Sequence, residues 1–480
     1  MMRSLYSGIS GLKVHQTKMD VIGNNISNVN TVGFRAGHVN FTDVYYQTTQ
    51  SASGPNATTG AAGTNAVQIG LGANVAAISV DLSGTGATQR TDRGMDLMIN
   101  GDAFLIVRSN GNTYFTKSGA LDIDANGTLY CTTNGASVLG WGVDESGEIR
   151  KDSVSTLNLM SPENSYSDPN ATTKVTLKGN VDEKDPLVAA GAAGYPISIS
   201  FYDNVGNLNT AKLLIKQVND TDTNQYEISF SDILGPDGKS ILKRETTDDQ
   251  GNKTYESTEQ HINFNGEGIE YTVDADGTIN FNGTLPNLTF NGATGAFTSV
   301  GTEEGQTSLN LTLNDGNTAN NAFPTSGVDI DFSGLTSYAS NSTCSVKPSR
   351  GDSDGNNAGN AAGTLNGFSI QTDGMIYGVY SNGDSKLLGQ IAVASFANPS
   401  GLESVGNSMY AATLNSGEFD GIGIDISEIG SFSIGALEMS DVDLATEFTN
   451  MITTQRGFQA NSRVITTSDT MLEELVNLKR

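Results

Sequence analysis

The side chains that could do chemistry in this chain are few, and their spacing gives them little to do. His15, His38 and His261 are its only histidines. Each lacks a second ligand, or an activated Ser or Cys, at a recognisable spacing, so packing or surface roles are expected rather than general-base or metal roles. Cys131 and Cys344 have no neighbouring Cys or His at ligand spacing; they allow one disulfide and no zinc site. Gly70 and Gly72 in GLGANV stand at dinucleotide-loop spacing, but Val75 occupies the third glycine's place, and a turn is expected. Asp122, Asp124 and Asn126-Gly127 copy the first half of a calcium loop. Thr133 stands where the bidentate acid is required, which predicts a hairpin turn instead. No carboxylate pair is marked out for glycoside hydrolysis. The expectation is no catalytic residue, no cofactor and no metal, hence not an enzyme.

What the spacing does specify is a helix at each end. Met2, Leu5, Ile9, Leu12, Gln16, Met19, Gly23 and Ile26 alternate steps of three and four. So do Leu444, Phe448, Met451, Gln455, Phe458, Ser462, Ile465, Asp469, Leu472 and Val476. Such a stripe puts one apolar seam on a helix and suits packing along another. The expected seam is Leu5, Ile9, Leu12, Met19 and Ile26 with Leu444, Phe448, Met451, Phe458, Ile465, Leu472 and Val476. The first helix should stop at Ser27–Asn30, where Asn and Ser compete with helical hydrogen bonding, and the last should follow a Ser440-Asp441 cap. Residues 1–40 hold four cations against one acid, whereas 438–480 hold seven acids against four cations. Opposite signs help the helices choose each other, while the apolar seam is expected to supply the strength. Polar seam positions such as Gln16, Gly23, Gln455, Ser462 and Asp469 weaken an isolated pair. Order is therefore expected when neighbouring copies cover the remaining apolar surface.

Between the ends lies a β-rich middle. The chain has 480 residues, enough for about three domains, and its net charge of −27 is spread without blocks. Such a surface repels nucleic acid and anionic membranes, which need clustered Lys and Arg. No run of 18 apolar residues exists for a membrane span, and Met1–Met19 lacks the pattern of a cleaved signal peptide, so any export should leave the N-terminus uncut. Asn-Gly pairs at 100–101, 110–111, 126–127 and 134–135 mark hairpin turns. Period-2 runs such as 195–203, 211–218, 225–232 and 308–315 mark antiparallel sheets with one wet face. The fold class expected is multidomain α+β: paired terminal helices, coiled-coil-like, enclosing discontinuous, mainly antiparallel β-domains. The boundaries expected are 1–30 and 442–480 for the helical domain, 31–75 for an irregular arm with short β-like pieces at 39–46, 76–155 and 346–441 for an inner β-domain, and 156–345 for an outer insert. Segment 351–363 is expected to be a flexible connector.

One motif stands above the rest. DVIGNNISNVNTVGFR (20–35) resembles the signature closing the N-terminal helix of flagellar rod, hook and hook-associated proteins, carried by Asn24, Asn25, Ser27, Asn28, Thr31, Gly33 and Phe34. Residues 447–480, with Gln455, Arg456, Gln459 and Asn461, resemble the C-terminal segment of the same axial family. Residues 96–130 and 388–419 are similar to its inner β-domain. Residues 81–90 depart from the family, lacking the aromatic-plus-Gln-Gly element. The long insert favours a hook-type subunit over a short distal rod subunit, with junction-type members third. The resemblance implies a self-assembling, curved extracellular tube that transmits torque from rod to filament. It further implies as partners other copies of the chain, the distal rod protein, the hook cap protein, the hook–filament junction protein and the type III export apparatus. A secreted acidic β-rich adhesin or polysaccharide-active enzyme is the competing class; it explains the middle but leaves both helices unexplained.

Overall fold

Strand Phe104–Ser109 shows how the middle is built. Leu105 and Val107 enter one apolar core, while Phe104 and Ile106 enter another on the opposite face. A strand buried on both sides must be central in its sheet, and this one is. The computed structural model describes all residues except 1, 56–59, 61, 145, 220–223, 248–252, 259, 283–285, 302, 304, 315–322 and 479–480. Parts of the expected arm (56–59, 61), the end of the 308–315 run, and Lys479 and Arg480 of the expected last helix therefore lie outside the described residues.

The chain divides into two compact units, each taken by itself below: residues 1–165, 366–379 and 385–480, and residues 166–365 and 380–384. In the first, helix α1 (Met2–Ser27) leads into a long two-part ribbon. Strand β1 (Gly37–Asp43) pairs antiparallel with β4 (Ala73–Val80), and β2 (Tyr46–Gln50) with β3 (Val67–Gly70). The expected arm thus holds four strands: the β-like piece expected at 39–46 falls on β1 and the start of β2, and the remaining strands are too short and too polar to stand out in sequence. Beyond it come β5 (Thr88–Arg90), β6 (Leu97–Asn100), β7 (Phe104–Ser109), β8 (Asn112–Thr116), β9 (Leu121–Ile123), β10 (Leu129–Cys131) and β11 (Ser137–Gly142). The late part of the chain returns to them: Val393-Ala394 pairs with β7, Ser431–Ile434 with β6 and Ala436–Glu438 with β5. The short helix α2 (Ile426–Ile429) precedes these last strands, and α3 (Leu444–Asn477) closes the chain. The cap of α3 is Asp443, accepting from Ala445 N at 3.0 Å, rather than the expected Ser440-Asp441.

The second unit packs two sheets on one core. A five-stranded sheet (195–202, 208–217, 225–234, 287–290, 297–300) brings Ile199, Leu213 and Ile228. A seven-stranded sheet that includes 308–314 and 328–336 brings Leu309 and Ile330. Among the described strands pairing is mainly antiparallel; Lys174–Asn180 runs parallel to Val328–Thr336, and Val175 bridges Gly351 in parallel.

The unit boundaries fall later than expected. Residues 155–156 pair with β11, and Leu157 and Leu159 are buried in the first unit's core. Residues 347–349 pair with 176–178 in the second unit's sheet. Nor is 351–363 a loose connector: the Asp352 carboxylate accepts from the backbone of Asp354 and Asn356 at 2.9 Å each, and Thr172 Oγ1 donates to Ala358 O at 2.8 Å. Its low-complexity composition is dense turn chemistry, in which Asp and Asn bond the backbone two and four residues on.

Candidate functional site

Helices α1 and α3 run antiparallel along a stripe of small or flat residues. Ser4 Oγ lies 3.3 Å from Ser468 Oγ. A Cβ on Gly8 would meet Ile465 Cγ1 at 3.1 Å, one on Gly11 the Asn461 amide at 2.7 Å, and one on Gly457 the His15 ring at 2.7 Å. The absent side chains let the two backbones approach closely. Glu447, Thr454 and Ser468 are the buried residues of α3. His15 also stands edge-on to Phe41, 5.9 Å between centroids. Burial, with Lys18 nearby, holds its pKa below the ordinary value.

The stripe in use is largely displaced by one residue from the expected seam, about 100° round the helix. Ile465 belongs to both. Leu5, Leu12, Met19, Ile26, Met451 and Leu472 are half-buried, while Ile9, Leu444, Phe448, Phe458 and Val476 are exposed. The two helices therefore meet through glycine and small polar residues, and much of the apolar stripe is left uncovered. Each helix carries two interleaved three-four stripes, and hydrophobicity singles out the wrong one for this contact.

The Asn-rich segment after α1 forms an elbow in which most residues serve the backbone. Asn25, 2% exposed, donates through Nδ2 to Gly37 O and accepts from Gly37 N, both at 2.9 Å. Asn28 Nδ2 donates to Asn24 O at 2.9 Å, and Thr31 Oγ1 donates to Asn28 Oδ1 at 3.1 Å. Ser27 Oγ donates to Gly23 O at 2.8 Å. Gly33 has φ of +66° and packs on the Lys117 backbone, where a Cβ would approach to 3.1 Å; its N–H donates to Glu438 O at 2.9 Å. Phe34 is half-buried, its carbonyl accepting from Asp441 N.

Under the elbow lies a buried ionic cluster. Arg35 pairs with Glu438 and donates to Gly84 O at 2.7 Å; Glu438 also accepts from Gly86 N at 2.6 Å. Lys117 Nζ donates to Gly84 O at 2.9 Å, and its pKa is lowered by burial and then by Arg35. Asp441 accepts from Ala36 N at 2.7 Å. The cluster ties the exit of α1 to the strand that leads into α3, so the helix pair is aligned from its elbow end. The glycines of segment 81–90, the stretch that departs from the family pattern, supply its backbone partners. On the open side of the elbow is a groove of about 820 Å³, lined by Thr17, Val21, Phe34, Ile78, Val80 and Tyr410 among others.

Two family models match where this geometry lies: "Flagella basal body rod protein" over residues 5–35 and "Flagellar basal body rod FlgEFG protein C-terminal" over 434–478. The flagellar hook protein FlgE of Borreliella burgdorferi is 36% identical over the whole of both chains. The chain belongs to the flagellar hook protein family. FlgE of Treponema pallidum is 35% identical, again covering all of both chains. A solved chain of Helicobacter pylori FlgE2 aligns over 73% of this chain and 100% of its own, with 13% identity and a TM-score of 0.32, too slight a likeness to carry weight.

Of the hook-family motif, the structure gathers Asn24, Asn25, Ser27, Asn28, Thr31, Gly33 and Phe34 at the elbow. Asn461 lies in the helix contact, donating to Gly457 O at 3.0 Å. Gln455, Arg456 and Gln459 are exposed on α3, where Arg456 donates to Gln459 Oε1 at 3.2 Å. The Asp124 turn is a hairpin, its carboxylate accepting from Asn126 N and Thr128 N. Among the described residues no three His, Cys, Asp or Glu gather as a metal would need, and no helix is long and apolar enough to cross a membrane. Sequence reasoning missed Gly8, Gly11, Gly457 and the Arg35–Glu438 pair. The glycines had a signal, since Ser4, Gly8, Gly11 and His15 also follow three-four spacing. The ion pair had none, because its members are far apart in the chain.

Proposed function

We propose that the chain is the structural subunit of the bacterial flagellar hook, polymerising into a curved, flexible tube that transmits torque from rod to filament. The observation that carries this is a helix pair already joined, whose apolar stripe is still uncovered. Along that stripe Ile9 is 44% exposed, Phe448 50% and Val476 67%. Soluble monomers rarely expose so much aligned apolar surface without a partner, and Leu5, Ile9, Leu12, Met19, Ile26 and their counterparts on α3 are the assembly surface. Family membership over the full chain supports the same reading. The role is structural rather than catalytic, since the polar groups at the elbow serve one another and the backbone.

The partners that follow are other copies along the tube, the distal rod protein below, the cap protein during growth and the junction protein above. Export runs through the flagellar type III route. Few large apolar side chains are buried in the helix pair, Val14 and Ile22 on α1 and none on α3, so the helices gain their full order from neighbours.

Electron microscopy of the purified protein tests the reading, with short curved tubes expected. Deleting 442–480 should leave folded β-units that form no tubes; tubes from the truncated chain would overturn the assignment of the helices.

A further inference from the structure

The α1–α3 pair carries a second uncovered stripe, unlike the first. A helix turns about 100° per residue. Measured from Asn461, which faces α1, Phe448, Met451 and Phe458 lie about 60–140° to one side, and Val464, Met471 and Leu475 about 40–80° to the other. The last three are 44%, 49% and 48% exposed.

The two stripes fall on opposite sides of the pair. On α1, measured from Gly11, Leu5, Leu12 and Met19 turn about 80–120° in the same sense as Phe448 does on α3. Antiparallel helices that face one another are related by a two-fold axis across the pair, so equal senses fall on one side. Leu5, Leu12 and Met19 therefore share a front face with Phe448, Met451 and Phe458. The back of α1 is closed by the ribbon: a Cβ on Gly37 would meet Val21 at 3.2 Å, Ala73 N donates to Ser10 Oγ at 3.3 Å, and Val14 is buried. The back of α3, with Val464, Met471 and Leu475, is left open.

Charge divides in the same way. By the same count, the exposed ionic side chains turned to the front are Asp469 and Glu473. Those turned to the back are Arg3, Lys13, Arg456 and Arg463, with Glu474 the one acid among them. Arg3 and Asp469 stand at one level along the pair, since their neighbours Ser4 and Ser468 touch. The front is acidic and the back basic.

We propose that the back stripe of α3 in one subunit packs on the front face of the helix pair in a second copy. Two fronts brought together would set acid against acid and leave both back stripes bare. Front on back covers both apolar surfaces and opposes unlike charges. A contact between unlike faces is heterologous and repeats from copy to copy without closing at two. The inference rests on the hook reading and deepens it, because it says which faces of the terminal helices meet.

The test uses the full-length protein. If the wild type forms no tubes, the hook reading fails and this contact with it. If it does, Val464→Asp with Met471→Asp spoils the back alone, and Phe448→Asp spoils the front alone. Each should raise the concentration needed for tubes roughly tenfold or more, because the contact would bury an unpaired carboxylate. Val464→Leu should leave that concentration near wild type, and the monomer's helical circular dichroism should not change in any variant. Mixed together, the back-spoiled and front-spoiled chains still hold one sound front and one sound back. Sedimentation of the mixture, at a concentration where the wild type polymerises, should show a one-to-one dimer that neither chain forms alone. Tubes from the back-spoiled chain at the wild-type concentration, a mixture that stays monomeric, or a dimer of the back-spoiled chain by itself would overturn the pairing and leave the hook reading standing.

Discussion

Gly457 of α3 lies against the imidazole of His15 in α1, so close that a Cβ would stand 2.7 Å from both Cε1 and Nε2. The ring is itself fixed, edge-on to Phe41. A larger side chain at 457 must displace the ring or open the helix contact, which makes this pair a test of the glycine stripe. Gly457→Val should destabilise the helix pair by about 1–3 kcal/mol, as overpacking of a close contact does. His15→Ala in the same chain should recover part of the loss. A double-mutant cycle followed by helical circular dichroism in urea measures the coupling; additive effects would place the ring elsewhere.

The Arg35–Glu438 pair offers a second, independent handle on the same alignment. Both side chains are buried, at 4% and 0% exposure. Removing one partner leaves an uncompensated charge in low dielectric, which costs about 3–5 kcal/mol. Arg35→Met alone and Glu438→Leu alone should each lower the urea midpoint strongly. The double variant should be more stable than either, because no buried charge is orphaned. Lys117, bonded to the same Gly84 carbonyl, is expected to rescue part of the Arg35→Met loss by remaining near Glu438. Unfolding curves for the three variants decide it.

These two cases also show what the sequence made legible. Helix ends at Ser27 and near 443, hairpins at Asn-Gly turns and the alternating strands of the insert all follow from local rules, and local rules survive folding. The elbow was legible as a motif through Asn25 and Gly33, although not its reasons: the partner of Asn25 is Gly37, within local reach, but that of Gly33 is Glu438. Which stripe of α1 meets α3 was not legible, because apolar and small residues share one period and only the facing helix chooses between them. Most of the ribbon over β1 to β4 was hidden for a related cause. Its strands β2 and β3 are exposed throughout, and β1 and β4 are no more than half-buried where they pass α1, so little hydrophobic alternation is required.

Cys344 should be a slow thiol. Burial, aided by the Asp185 and Asp182 carboxylates, pushes its pKa up to about 12. The thiolate is the reactive species, so at pH 8 modification by a thiol reagent should be at least tenfold slower in the native protein than in urea. Cys131, fully buried and bonded near Ser118 and Thr133, should react only on unfolding. Mass spectrometry of native protein after brief labelling checks both; rapid labelling at Cys344 would contradict the buried setting.

Asp425 gives the expected pH dependence. Burial tends to raise its carboxyl, but hydrogen bonds from Lys151, Ser427 and Gln390 outweigh this and bring the pKa down to about 2. The Lys151 Nζ lies 2.8 Å away, and Gln390 Nε2 donates at 3.0 Å. A carboxyl depressed on folding stabilises the native state above its unfolded value, near 3.8, and that stabilisation is lost as pH falls through the folded value. Asp425→Asn keeps an oxygen able to cap α2, as the carboxylate does by accepting from Ser427 N, but removes the charge that Lys151 and Gln390 meet. The variant should therefore be less stable than wild type at pH 6, and the gap should close between about pH 4 and pH 2. Lys151 is half exposed, so solvent screens the pair and the gap should shrink further in high salt. Urea midpoints of the two proteins across that pH range carry the test. A gap constant with pH would mean that the lost interaction is the hydrogen-bond geometry and not the charge.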